Sequence, residues 1–133
     1  MMSPATEFQK LVVGTLAGNA DIMAIVTDVY DYAGHTSTPP YISLGPITET
    51  PLDATGITYS EYRLQIDIWS DRKPKRECQE ICHLVKKLFH NSSLTLSTHA
   101  IGTIRVTGNR MLREANGITN HGVITLTANI EEY

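Results

Sequence analysis

The chain is short of basic charge, of cysteine and of long apolar runs, and each shortage excludes a class of function. Its 11 lysines and arginines stand against 14 aspartates and glutamates, a formal net charge of -3, so the broad basic footprint of a tight nucleic-acid binder is missing. No uncharged apolar run is long enough to cross a bilayer, and the stretch from Met1 to Phe8 has no basic segment followed by an apolar one. A soluble protein made in the cytoplasm, with no membrane partner, is therefore expected, and its two cysteines, Cys78 and Cys82, should be reduced thiols. There is no Gly-X-Ser-X-Gly elbow, no phosphate-cradling glycine loop, no His-Glu-X-X-His, no internal repeat and no flexible linker. At 133 residues the chain suits one domain, 1–133, with one core.

What is present is a set of clear periodicities. Ser3-Pro4 supplies an N-cap and a first-turn proline, and Phe8, Leu11, Val12 and Leu16 then recur at helical spacing until Gly18. A further short turn of helix is expected over Asp21–Val26, and the sheet should start at Val29-Tyr30-Asp31-Tyr32. Ala33 to Pro40 reads as a loop, Tyr41 to Gly45 as a strand, and Pro46 to Ile57, with its two prolines and Gly56, as a second long loop. From Tyr59 to Trp69 the residues alternate: Tyr62, Leu64, Ile66 and Ile68 on one face, Glu61, Arg63, Gln65, Asp67 and Trp69 on the other. Asp71 to Pro74 opens a second main helix, in which Cys78, Ile81, Cys82, Val85, Leu88 and Phe89 fall on one arc.

The last quarter reads as a hairpin, Thr103–Met111 and Val123–Ile130, around an Asn116-Gly117 turn. A strict two-residue turn would place Thr107 opposite Leu126 and Arg105 opposite Ala128, putting polar residues on the buried face. Burial instead favours Ile104 and Val106 on the face of Leu126, Ala128 and Ile130, which requires a bulge or an odd-length loop, with Gly108 and Gly122 as its candidate sites. The fold class is thus α+β: a mostly antiparallel sheet of about four to five strands, two main helices on one face and a protruding C-terminal hairpin.

Candidate functional residues are few. Cys78, Cys82 and His83 would supply three ligands where zinc needs about four converging on one point, and two buried thiols acting as small apolar groups are the simpler reading. His35, His99 and His121 sit in expected loops and read as surface or turn residues. The terminal Glu131 and Glu132, and Asp28 and Asp31 beside a strand, read as solvated acids. The basic cluster Arg72, Lys73, Lys75 and Arg76 opposes a helix dipole, which points to contact with an acidic partner, with a solvated surface as the alternative. Trp69, on the polar face just before that cluster, is the foremost interface candidate, with coverage by its own loops as the alternative. Arg63, Asp67, Arg113, Asn116, Gly117 and His121 complete the interface set. Catalytic, metal and cofactor residues are expected to be absent.

Taken in order, four passages resemble the tail-completion, or tail-terminator, family of tailed bacteriophages and gene transfer agents. They are Leu16-Ala17 with Ile25-Val26 leading to Val29-Tyr30-Asp31; Pro40-Tyr41-Ile42-Ser43-Leu44-Gly45; Leu64-Gln65-Ile66-Asp67-Ile68-Trp69-Ser70; and Arg113 to Val123. The family more often has an Asp-Gly turn where this chain has Asn116-Gly117. The resemblance implies a non-enzymatic virion protein, without cofactor, that forms a homo-hexameric ring on the head-proximal end of the tail tube. Its implied partners are further copies of itself, the tail tube protein and the head-tail connector or stopper protein, with DNA passing the lumen non-specifically. Two rival readings are a head-tail connector or stopper of the neck and a small thiol- or metal-dependent enzyme built on Cys78, Cys82 and His83.

Overall fold

The computed structural model describes residues 2–31, 38–71, 75–115 and 117–131. Helix α1 (Pro4–Ala17) begins where the Ser3 hydroxyl accepts the Thr6 N–H, and its buried stripe is Phe8, Val12 and Leu16. A single-turn α2 (Ala20–Met23), capped by Asn19, buries Ile22. Strand β1 (Val29–Tyr30) runs parallel to β2 (Tyr41–Ala54), which turns at Thr55-Gly56 into β3 (Ile57–Ser70). Helix α3 (Arg76–Phe89) follows, then β4 (Ala100–Ile101), β5 (Arg105–Arg113) and β6 (Asn120–Glu131). The sheet order is β1-β2-β3-β6-β4, with β5 also on the outer edge of β6.

The long loop expected over 46–57 is instead strand and hairpin, with Ile47 to Ala54 paired to Leu64 to Ile57. Pro46 falls in the register shift between Leu44 and Ile47, and Pro51 lies where β2, among the described residues, has no second neighbour. At a bulge or a free edge a proline removes no ladder bond, so turn-forming residues here punctuate a strand without ending it. Gly56, at φ 77°, supplies the left-handed turn.

The alternation in β3 is realised as expected: Tyr62, Leu64, Ile66 and Ile68 are buried beneath α1 and α3, whose Cys78, Ile81, Cys82, Val85 and Phe89 meet them. Leu88 is only partly buried at the rim of that arc.

The hairpin register resolves as burial requires. Arg113↔Asn120 through Gly108↔Thr125 keep the register of a tight turn, and the shift at Thr107 then sets Val106 opposite Leu126. The bulge is therefore next to Gly108. Gly122 is in regular pairing with Ile68 and Met111, and a different constraint keeps it glycine: a Cβ there would lie 2.5 Å from Cys82 Sγ and 3.1 Å from Cys78 Sγ. Gly122→Ala is expected to destabilise the fold by about 1–3 kcal/mol through overpacking, and Cys82→Ala in the same chain should recover most of that loss. Urea denaturation of the two variants checks it; an additive double variant would show that the thiols do not set the constraint.

The stems of the hairpin lie inside the sheet, because β6 pairs along its length with β3, from Tyr59↔Glu131 to Ser70↔Asn120. What extends past that last pair is the tip, closed by Glu114 N–H to Thr119 O at 2.8 Å and Gly117 N–H to Glu114 O at 2.9 Å, with Gly117 at φ 74°.

Candidate functional site

Because α1 and α3 cover one face of the sheet, the other presents the odd-numbered residues of β3 and β6. Register aligns them in rows across the strands. The row nearest the hairpin tip is Tyr41, Trp69, His121 and Leu112; next comes Ser43, Asp67, Val123 and Arg110. Farther down lie Arg63, Thr127 and Arg105, and at the opposite end Leu52, Tyr59, Glu131 and Ala100.

The tip-side rows form a connected cluster. Trp69 stacks on His121 with centroids 3.9 Å apart and planes 10° from parallel, and more loosely on Tyr41 at 6.3 Å. Tyr30 then meets Tyr41 edge-on at 5.8 Å. The Trp69 indole N–H donates to the fully buried Ser43 hydroxyl at 3.1 Å. His121 bonds two acids, Asp67 through Nε2 at 2.7 Å and Glu114 through Nδ1 at 3.1 Å. Asp67 also accepts the Gln65 amide at 2.8 Å, and its carboxylate occupies the space over Gly45, where a Cβ would come within 2.7 Å of Oδ2. Asp67 is 5% exposed although it lies on the helix-free face. That face is consequently not simply solvated: Val123 and Thr127 are buried there too.

His121 titrates above its ordinary 6.5: burial pulls the ring down, but the hydrogen bond and charge of Asp67, with those of Glu114, outweigh it. A raised folded value means that the imidazolium's contribution is complete below about 6.5 and is lost as pH rises through the folded pKa. The tip, held to β3 through Glu114, should therefore loosen on the alkaline side. Trp69 is the sole tryptophan, so its fluorescence should titrate with His121, with a midpoint above that of a free histidine; Asp67→Asn should lower the midpoint. A midpoint at or below the free value would contradict this arrangement.

Of the residues singled out from the sequence, Trp69, Asp67 and His121 converge here, and His121, expected in a loop, is a strand residue opposite Trp69. Arg113 follows on β5 but faces the other side of the sheet, its Nε 3.5 Å from Asn120 Oδ1, and Gly117 forms the exposed tip. Arg63 stands apart, 61% exposed and paired with Glu61 at 3.1 Å. Arg72, Lys73 and Asn116 lie outside the described residues, as does His35. Sequence reasoning passed over Tyr41, Ser43 and Glu114 as site residues. Their signal is positional, since each joins only through a strand pairing that no local pattern specifies.

A second polar cluster lies under α1. His99, expected at the surface or in a turn, is 7% exposed, and Glu7 is 6% exposed. The Glu7 carboxylate accepts the Thr98 hydroxyl, the Thr98 N–H at 2.9 Å and His99 Nδ1 at 3.1 Å. The Thr98 bonds first, and His99 after them, hold Glu7 down to about 2 against the effect of burial. This cluster ties the start of α1 to the segment before β4, a structural role in which a buried acid is retained because its partners satisfy it. Cys78 and Cys82 are buried free thiols, with Cys82 pushed up by its hydrogen bond to Cys78 and by burial. His83 is exposed, and among the described residues no group of three or more His, Cys, Asp or Glu is placed to hold a metal ion.

A model of the family described as tail completion protein gp17 matches residues 10–131. No curated protein matches the sequence. Among solved structures, the chain is similar to a component of the virion of a native gene transfer agent particle: 19% identity, TM-score 0.89, covering 99% of this chain and 100% of that one. It is also similar to the gp17 protein of bacteriophage SPP1: 19% identity, TM-score 0.63, covering 97% of this chain and 91% of that one. At these identities the likeness is one of fold.

Proposed function

We propose that this chain, which belongs to the tail completion protein gp17 family, forms a closed ring on the head-proximal end of a tail tube. There it stops tube polymerisation and offers the surface on which the neck docks. The role is structural rather than catalytic, and the protein resides in the virion. The observation that carries this reading beyond family membership is the helix-free face of the sheet. It is ordered by a network of its own yet leaves Leu112 and Ile57 exposed at opposite ends, 42% and 45% respectively. Such a face is covered by a neighbour without needing a second core, and copies joined head to tail close into a ring when the rotation per subunit is correct. A mildly acidic ring would also let DNA pass without holding it. Deleting the gene in a producing cell should give tails of uncontrolled length that lack heads, and electron microscopy of the purified protein, alone or on tubes, should show rings with a central pore. Normal tails joined to heads in the deletion strain would refute the proposal.

A further inference from the structure

The two ends of the helix-free face are complementary. At one end the hairpin carries exposed Leu112 and Ile118, 42% and 56% exposed, with the positive charge of Arg110 on the same face as Leu112. At the other end a shallow cleft of about 290 Å³ opens between the start of β3 and the paired ends of β4 and β6, floored by Ile57, Tyr59, Ala100 and Ile101. Its rim bears Glu131, which register places between Tyr59 and Ala100. One end is aliphatic and basic, the other apolar and acidic. They lie on the same strand, from His121 to Glu131 along β6, separated by about 34 Å at the usual rise.

We infer that the occupant of this cleft is the hairpin tip of a second copy of the chain, with Ile118 and Leu112 covering Ile57 and Arg110 facing Glu131. The inference rests on the ring reading and specifies its interface. A single contact leaves one tip and one cleft unfilled, so copies joined head to tail continue until a ring closes, whereas a reciprocal two-fold pair would fill both sites and stop at a dimer; multimers beyond the dimer therefore mark the head-to-tail arrangement. The bonds from Glu114 to His121 and from His121 to Asp67 hold the tip in place beforehand, so less ordering is lost on docking.

Cysteine pairing tests the contact directly, because the native Cys78 and Cys82 are buried and do not compete. The full chain carrying both Ile118→Cys and Ile57→Cys, assembled at high concentration or on tail tubes and then oxidised, should give a ladder of disulfide-linked multimers on a non-reducing gel. A mixture of the two single variants should give dimers, and neither single variant alone should. Arg110→Glu should weaken assembly about tenfold, and Glu131→Arg in the same chain should restore much of it. Rings seen by microscopy without any cross-link would overturn this interface while leaving the ring reading intact. Dimers from Ile118→Cys alone would overturn it by showing that the tip meets its own kind. If neither the free protein nor tubes support rings, both readings fall.

Discussion

Ile81→Ala should cost the fold about 2–5 kcal/mol, the range for removing a buried branched side chain from a core that relaxes only in part. Ile81 is fully buried at the centre of the α3 arc, between the two thiols and Val85, and it faces the β3 residues that also support α1. Helix α3 supplies the cover over the middle of the sheet, so a void there is shared by several neighbours and collapse is restricted. Cys78→Ala, which removes a smaller group from the same arc, should be milder. Equilibrium denaturation of the two variants decides the matter, and an unchanged midpoint for Ile81→Ala would show that the helix presents another face.

Trp69→Ala should lose about 2–4 kcal/mol of stability in the isolated subunit, before any assembly is considered. The indole is half-buried between His121 and Tyr41, and it is the donor to a serine hydroxyl with no access to water. Its removal breaks the stack and takes from Ser43 a hydrogen-bond partner in a desolvated site, a loss worth about 1–3 kcal/mol alone. Trp69→Phe should recover the stack but not the hydrogen bond, and so fall between the two. Thermal unfolding at concentrations too low for association provides the measurement. If Trp69→Ala left the isolated subunit at wild-type stability and altered assembly alone, the residue would be an anchor presented to neighbours, not a strut of its own sheet.

That distinction marks the limit of what periodicity reveals. The stripes of α1 and α3 and the alternation of β3 were legible because each is a local repeat with one buried face. The bulge beside Gly108 was legible for a related reason: burial of Leu126 and Ile130 demanded a slip that an Asn-Gly turn alone does not give. By contrast, Pro46, Pro51 and Gly56 in β2 and its turn read as a loop, since a sequence does not state that a strand will lie on an edge where prolines are tolerated. The site behaved likewise. Trp69, Asp67 and His121 were each identifiable, yet their convergence depends on pairing β3 with a strand more than fifty residues later, as the separation of Asp67 and His121 shows. Glu7 was passed over and His99 was read as a surface or turn residue for the same reason, each having no local feature that names the other as partner.

The position of β6 has a consequence for synthesis. Strand β6, the last among the described residues, is an interior one, flanked by β3 on one side and by β4 and β5 on the other. As the nascent polypeptide emerges, β1 to β3 form a sheet with an uncovered hydrogen-bonding edge at β3, and β4 and β5 have no strand to join until residues 120–131 arrive. Contacts as distant as Tyr59 with Glu131 must close late, which slows folding and prolongs exposure of that edge. A subunit released before Glu131 would present the edge to any neighbouring strand, so the chain cannot be competent for ordered assembly until translation has passed that residue. Timing of assembly is in this way tied to synthesis of β6.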